Sequence, residues 1–143
     1  MAEYIQIPIV TVDVGQNVPL EDSIPCNNGY VIHRNGSGIL TLRGIVNNPC
    51  ANFARYQVTF NANIAVPEGG TAGEISIGLA QNGEVLQSSI ASVTPTVAEA
   101  FFNVTSTAFI DVPKGCCYSI AVENASDQEI DVSNSNLVVT RTA

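Results

Sequence analysis

Apolar and polar residues alternate along most of this chain with a period of two. The clearest run is RYQVTFNANIAV, residues 55–66, where every second residue is apolar and those between are mostly polar. Successive side chains of a β-strand point to opposite faces, so this run predicts a strand with one face in the core. The predicted core face consists of Tyr56, Val58, Phe60, Ala62, Ile64 and Val66.

The same alternation recurs between clusters of Gly, Pro and Asn, whereas helical periodicity is almost absent. Further strands are predicted at residues 29–34, 38–46, 74–80, 85–93, 101–112, 116–122 and 129–142. Asn82-Gly83 is a dipeptide that favours a tight hairpin turn. With the N-terminal segment the chain has about nine short strands, which predicts one all-β domain, a β-sandwich of the jelly-roll type.

The N-terminal segment YIQIPIVTVDV, residues 4–14, changes the phase of its alternation part-way. Ile5, Ile7 and Ile9 share one face, whereas the valines from position 10 onward fall on the other. Such a shift predicts a bulge or a crossing between two surfaces. Pro8 cannot donate a ladder hydrogen bond, which favours an edge position for this strand.

Residues 1–28 are therefore interpreted as an N-terminal arm with an edge strand, and residues 29–143 as the jelly-roll domain. An apolar edge strand needs something to pair with. Two possibilities remain open, since the arm can complete its own sheet or dock on a neighbouring molecule. The residues that would dock in the second case are Tyr4, Ile5, Ile7 and Ile9.

Composition changes this picture by pointing to assembly. Hydrophobic residues make up 45% of the 143 residues and charged residues only 13%, against about 25% charged in an ordinary globular protein. A surface this poor in charge indicates that other chains cover part of it. The net charge is −8 and the five basic residues are scattered, so the basic clusters needed to bind nucleic acid or an anionic membrane are absent.

The sequence shows neither a secretory signal pattern nor an apolar run near the ~20 residues of a membrane helix. We therefore expect synthesis in a cytoplasm without export. Cys26 and Cys50 fall in loop segments, and a disulfide between them remains open, although free thiols are the default without export.

Groups that could carry catalysis are few. His33 is the only histidine and no Gly-x-Ser-x-Gly motif accompanies it, so a structural histidine is the favoured interpretation. Asp127, Glu129 and Asp131 alternate and would share one strand face, where either a calcium ion or plain solvation would explain them. We expect no enzyme, and we assign no catalytic, cofactor-binding or metal-binding residue.

Two aromatic residues of the segment 101–112, Phe101 and Phe109, fall on the otherwise polar face of their strand. Leaving each one fully exposed costs about 2 kcal/mol, so we expect another subunit to cover them. In the next strand Cys116 is predicted to face the core and Cys117 to point outward. The predicted subunit interface consists of Phe101, Phe109, Cys117, Ser119 and Ala121. The predicted core face of the aromatic strand consists of Phe102, Val104, Ala108, Ile110 and Val112.

Four segments, ARYQVTFNANIAV, GEISIGLAQNGEVL, DVPKGCCYSIAVEN and NLVVTRT, resemble in order strands of the tumour necrosis factor and complement globular-head superfamily. The resemblance covers roughly residues 29–143 and is nearest to the bacterial and phage members. It implies a ten-stranded jelly roll that forms compact homotrimers. No collagen-like Gly-x-y stalk precedes the domain, and the aromatic trimer core of the family is only partly present.

The sequence also resembles small proteins encoded among the virion structural genes of tailed phages of Firmicutes. This resemblance implies a non-enzymatic virion protein, a trimeric capsid decoration or head-fibre protein that binds the major capsid protein or another virion protein. The alternative is a receptor- or glycan-binding module, a fibre tip or a bacterial cell- or spore-surface head. Its candidate ligand contacts are Tyr30, Asn134 and Asn136.

Overall fold

The computed structural model describes residues 2–20, 22–24, 31–33, 38–46 and 49–142. Within these ranges the chain forms twelve strands and one short 3-10 helix at Gln87–Ser89. The first six strands are β1 (Ala2–Gln6), β2 (Val10–Val12), β3 (Asp22–Ile24), β4 (Val31–His33), β5 (Ile39–Arg43) and β6 (Phe53–Ala65). The others are β7 (Ile75–Gln81), β8 (Glu84–Val85), β9 (Ala91–Val93), β10 (Phe102–Pro113), β11 (Cys117–Asn124) and β12 (Ile130–Arg141).

The strands form two antiparallel sheets that face each other. Sheet A has the order β10-β6-β12-β1-β3, with β2 also paired to β12, and sheet B has the order β4-β5-β11-β7-β8, with β9 paired to β7. The prediction of an all-β jelly-roll sandwich is confirmed.

The core lies between the sheets and is filled by the apolar phase of each strand. On β6 the alternation is complete, and Tyr56, Phe60 and Ile64 are fully buried, as the sequence predicts. Each buried side chain of this size contributes roughly 1.5–3 kcal/mol relative to exposure. Tyr56 also joins the sheets, because its hydroxyl donates a 2.6 Å hydrogen bond to the carbonyl oxygen of Arg43 on β5.

The hairpin after β7 has the turn that the sequence predicts. Asn82 and Gly83 both adopt positive φ, 53° and 89°, as a tight turn of this kind requires. The return strand predicted at residues 85–93 is instead divided into β8, the 3-10 helix and β9. Ser89 explains the break, because its Oγ accepts a 2.9 Å hydrogen bond from the Leu79 N–H and donates one of 2.7 Å to the Leu86 carbonyl.

The N-terminal segment is built into the sandwich. β1 pairs with β12 on one side and β3 on the other, so the arm completes its own sheet, the first of the two possibilities. β1 is thus an inner strand, because β3 follows it at the edge of sheet A. The domain boundary proposed at residues 28 and 29 lies outside the described residues.

The arm keeps one alternation where the sequence predicts a phase shift, because Tyr4, Gln6 and Val12 are all buried and the isoleucines between them fall on the outward phase. β12 has a bulge between Ser133 and Asn136, opposite the junction of β1 and β2. Beyond β2 the chain crosses to sheet B, where the Val18 N–H donates a 2.7 Å hydrogen bond to the Val122 carbonyl of β11. The sequence predicts a bulge or a crossing within the arm, whereas the structure has the bulge in β12 and the crossing after β2. The buried amide of Asn124 fixes the crossing by donating to the carbonyl oxygens of Val12, Asp13 and Gln128.

Candidate assembly surface

The outer face of sheet A, named here the A face, is a broad polar surface between two apolar margins. Its rows follow the strand register, so that Thr105, Asn61, Asn136 and Ile5 lie side by side across β10, β6, β12 and β1. The next row, at Thr107, Thr59 and Val138, is mostly polar as well. The centre of the A face is thus mostly polar over two consecutive rows of the sheet.

The polar side chains at the centre of the A face bind one another. Asn103 Nδ2 donates to Asn61 Oδ1 at 2.7 Å and to Asn63 Oδ1 at 3.1 Å. Thr105 Oγ1 donates to Asn61 Oδ1 at 3.1 Å, and in the next row the hydroxyls of Thr59 and Thr107 lie 3.0 Å apart. These bonds satisfy the side-chain oxygens of Asn61 and Asn63, so a covering subunit would need to supply acceptors mainly for the amide NH2 groups of these two residues.

Charge on the β10 side of the A face is paired within the subunit. Arg55 of β6 binds Asp111 of β10 through two hydrogen bonds, Nε to Oδ1 at 2.7 Å and an NH2 nitrogen to Oδ2 at 3.0 Å. The guanidinium also lies 5.2 Å from the centre of the Phe53 ring. The hydrogen bond from Arg55 holds the pKa of Asp111 below its ordinary value.

Exposed apolar side chains mark both margins of the A face. On the β10 margin Phe109 is 63% exposed and Phe101 is also exposed. On the opposite margin, between β1 and β2, Ile7 and Ile9 are 61% and 63% exposed. These are the Phe margin and the Ile margin of the A face. Four exposed apolar side chains thus border the A face, and contact with another subunit would remove them from water.

The five residues of the predicted subunit interface do not share one surface. Phe101 and Phe109 lie on the A face, but Cys117, Ser119 and Ala121 lie on the outer face of sheet B, at the opposite side of the sandwich. The period of two identifies the outward phase of a strand but does not say to which sheet the strand belongs.

Two core assignments also need correction. Phe102, predicted to face the core, is 42% exposed because it is the first residue of β10, at the end of the sandwich. Cys116, also predicted to face the core, is exposed, since β11 begins only at Cys117 and Cys116 belongs to the preceding turn. Val104, Ile110 and Val112 are buried as expected, with Ala108 packed against the core.

The residues of the predicted docking arm divide in the same way. Tyr4 is buried in the core, and its ring centre lies 4.6 Å from that of His33 on β4. Tyr4 therefore offers no surface to another protein. Ile5 is half-buried on the A face, and Ile7 and Ile9 are open to solvent.

The remaining candidate residues that the structure describes lie on several different strands and loops. His33 is half-buried against Tyr4, as a structural histidine would be. Among the described parts of the chain, no group of three or more His, Cys, Asp or Glu is placed to hold a metal ion. Of the candidate ligand contacts, Asn134 is exposed and Asn136 half-buried, while Tyr30 and Cys26 lie outside the described residues.

The carboxylates near the β2–β12 pair nevertheless interact. A hydrogen bond with Asp13 and the negative charges of Asp13 and Asp131 raise the pKa of Glu129, an exposed residue, with desolvation as a lesser cause. Thr11 Oγ1 donates a 2.7 Å hydrogen bond to Asp131. Burial raises the pKa of Glu123 on β11. A neutral side chain at position 129 would relieve the repulsion between Glu129 and the aspartates Asp13 and Asp131.

No helix within the described ranges has the length and apolar character that a membrane span requires.

Solved structures with the same architecture come from the tumour necrosis factor and C1q groups. The globular domain of zebrafish complement 1qA matches with a TM-score of 0.60 and 14% identity, over 96% of this chain and 94% of that one. Murine APRIL matches with a TM-score of 0.65 and 10% identity over 99% and 98%. The Eiger TNF of S. frugiperda matches with a TM-score of 0.64 and 13% identity over 100% and 92%.

At these identities the likeness shows the fold alone, a jelly roll like those of C1q and tumour necrosis factor domains. No protein-family model matches the chain, and no relative is found among curated proteins.

The polar network of the A face is the feature that sequence reasoning missed. Its signal was present in the alternating Asn61 and Asn63 on one strand and Asn103 and Thr105 on another. Only the register of β6 against β10, with Asn61 opposite Thr105 and Asn63 opposite Asn103, brings these side chains together.

Proposed function

We propose that this chain is a non-enzymatic building block that assembles through its A face into a homotrimer. The observation that carries the proposal is the combination on one surface of two exposed apolar margins and a polar centre whose groups already bind one another. Covering such a surface removes the apolar margins from water and preserves the hydrogen bonds within the polar network.

The arrangement of the margins allows the Phe margin of one copy to meet the Ile margin of another. Such contacts are reciprocal in a two-fold dimer and run head to tail in a closed ring, and the sequence resemblance to trimeric proteins favours the ring. The Phe margin and the Ile margin lie at opposite sides of the A face, so the Phe margin of one copy covers the Ile margin of the next. Three copies close such a ring, in agreement with the trimer that the sequence resemblance implies.

The trimer is proposed to serve on a phage virion as a capsid decoration or head-fibre protein, with the major capsid protein or another virion protein as its partner. Its support is the sequence resemblance to virion proteins and the match between a cyclic trimer and the threefold positions of an icosahedral shell. The low proportion of charged residues also suits a chain that functions as part of a larger assembly.

The isoleucines of the Ile margin have a second candidate role, which is to dock on the capsid shell. Their exposure suits both a contact between subunits and a contact with the shell. The double variant Ile7→Asp/Ile9→Asp distinguishes these two roles. A monomeric variant assigns the two residues to the ring. A trimeric variant that no longer binds particles assigns them to the shell.

The virion role is tested by electron cryomicroscopy of purified particles from the phage that encodes this chain. We expect threefold density of jelly-roll size on the outer surface of the head or on a head fibre. Particles whose head and fibres carry no density for this chain would contradict the role.

A further inference from the structure

A small hollow opens on the outer face of sheet B, at the opposite side of the sandwich from the A face. Its floor is a cross-strand row in which Ala121 of β11 lies between Ile39 of β5 and Ala80 of β7. The hollow has a volume of about 240 Å³. The other residues that line it are Asn17, Asn82, Gly83, Ser119 and Ile120.

The floor of the hollow is apolar and recessed. Ala121 and Ala80 alternate with core residues and so belong to the outer phase, yet they are only 5% and 2% exposed. Their small side chains leave space above the sheet. The apolar side chain of Ile39, which is 48% exposed, borders this space. The hollow therefore offers methyl groups to the face of a ligand.

The rim of the hollow carries a polar group whose orientation is fixed. The Asn82 N–H donates a 2.8 Å hydrogen bond to the Ser119 carbonyl, and its Oδ1 accepts one of 2.9 Å from the Ser119 N–H. With Oδ1 engaged, the amide NH2 is the part of the side chain left to serve a ligand, and no hydrogen bond occupies it among the described residues. The Ser119 hydroxyl and the Asn17 amide line the same hollow.

The lack of ionisable residues in the lining of the hollow limits the class of ligand that it can bind. None of the eight residues that line the hollow is ionisable, in a chain with a net charge of −8. An ionic ligand would find no counter-charge there, whereas a neutral ligand with an apolar face and polar edges would match floor and rim. A pyranose ring has this character, since its C–H groups form one face and its hydroxyls the edge.

We propose that this hollow binds a single neutral sugar ring, with the ring's C–H face against Ile39, Ala80 and Ala121 and its hydroxyls at Asn82 and Ser119. The volume lies below the range of roughly 300–1,000 Å³ typical of larger ligands, so the hollow takes one ring rather than a long oligosaccharide. The inference rests on the proposed function in one respect, because assembly through the A face leaves the outer face of sheet B open.

The experiment is an NMR titration of the isotope-labelled full chain with glucose, galactose, mannose and N-acetylglucosamine, each added separately. We expect at least one sugar to shift the amide signals of residues 80–83 and 119–121, with an affinity of roughly millimolar order for so small a ligand. Glucuronic acid serves as the charged comparison and should bind more weakly.

Asn82→Asp is the matched test variant, since aspartate tolerates the positive φ and keeps an oxygen for the Ser119 N–H but loses the amide donors. We expect about tenfold weaker binding, the loss of one good hydrogen bond. Asn134→Asp makes the same substitution at a second exposed asparagine of positive φ, 49°, which lies in sheet A and is a contact residue of the glycan-binding alternative. Binding in the hollow predicts an unchanged affinity for this variant.

Three results would overturn the assignment: no shift with any neutral sugar, shifts remote from the hollow, or loss of binding in Asn134→Asp but not in Asn82→Asp. The mass of the assembly, measured on the same samples, distinguishes a failure of the trimer proposal from a failure of the sugar-binding proposal. A monomer that binds sugar contradicts the trimer and supports the hollow, whereas a trimer without sugar-induced shifts contradicts the hollow alone.

Discussion

Arg55 and Asp111 face each other across β6 and β10 and form a bidentate ion pair, with Nε of Arg55 2.7 Å from Oδ1 of Asp111. The pair lies two residues beyond Phe109 on the same face, so it borders the surface through which we propose that subunits meet. Its partners neutralise each other, and this end of the A face therefore presents no net charge to a neighbouring copy.

The ion pair predicts an acid-sensitive contribution to stability. Because the folded state lowers the pKa of Asp111, its contribution is present above the ordinary carboxyl pKa of about 3.9 and is lost as the pH falls through the lowered value. Asp111→Asn should therefore lose less thermal stability than the native chain between about pH 5 and pH 2. Melting temperatures that fall equally with pH in both proteins would contradict a contribution of the folded-state Asp111 carboxylate to stability.

Phe109→Ser is expected to weaken assembly while leaving the fold intact. Phe109 is outward-facing and exposed, so the folding free energy of the subunit should change by about 0.5 kcal/mol or less. The matched control is the adjacent core residue, since Ile110→Ala should cost about 2–5 kcal/mol of folding stability. Sedimentation of both variants measures assembly, and denaturant unfolding measures folding stability. Equal losses of folding stability in the two variants would place Phe109 in the core.

Glu129→Gln should stabilise the protein near neutral pH. The hydrogen bond with Asp13 and the nearby negative charges raise the folded-state pKa of Glu129, so its ionised form is less stable in the folded protein than in the unfolded one. Native stability should therefore rise as the pH falls through the raised pKa. The gain of the glutamine variant should shrink over the same interval, and a gain that is constant with pH would disprove the coupling.

Tyr56→Phe tests the hydrogen bond that joins the two sheets. Removing the hydroxyl leaves the buried ring in place but deprives the Arg43 carbonyl of its 2.6 Å partner, at an expected cost of about 1–3 kcal/mol. Chemical denaturation measures this directly. A neutral result would mean that water replaces the hydroxyl at that carbonyl.

Local pattern was sufficient to predict most of the strands and the Asn82-Gly83 turn, since both follow from the residues themselves. It was insufficient where partners distant in sequence decide the outcome. Ser89 breaks the strand after the hairpin only because its hydroxyl lies beside Leu79, and Cys117 is separated from Phe109 only because β11 and β10 belong to different sheets. The docking residue Tyr4 is buried for the same kind of reason, since β1 enters the middle of sheet A.

The mass of the native particle, measured by sedimentation equilibrium across a wide range of dilution, tests the proposed building block most directly. One chain has a mass of 15.0 kDa. The account predicts a species three times as heavy that persists on dilution and dissociates when Phe101 and Phe109 are both replaced by serine. A native protein that sediments as a single 15.0 kDa chain at every concentration would contradict it.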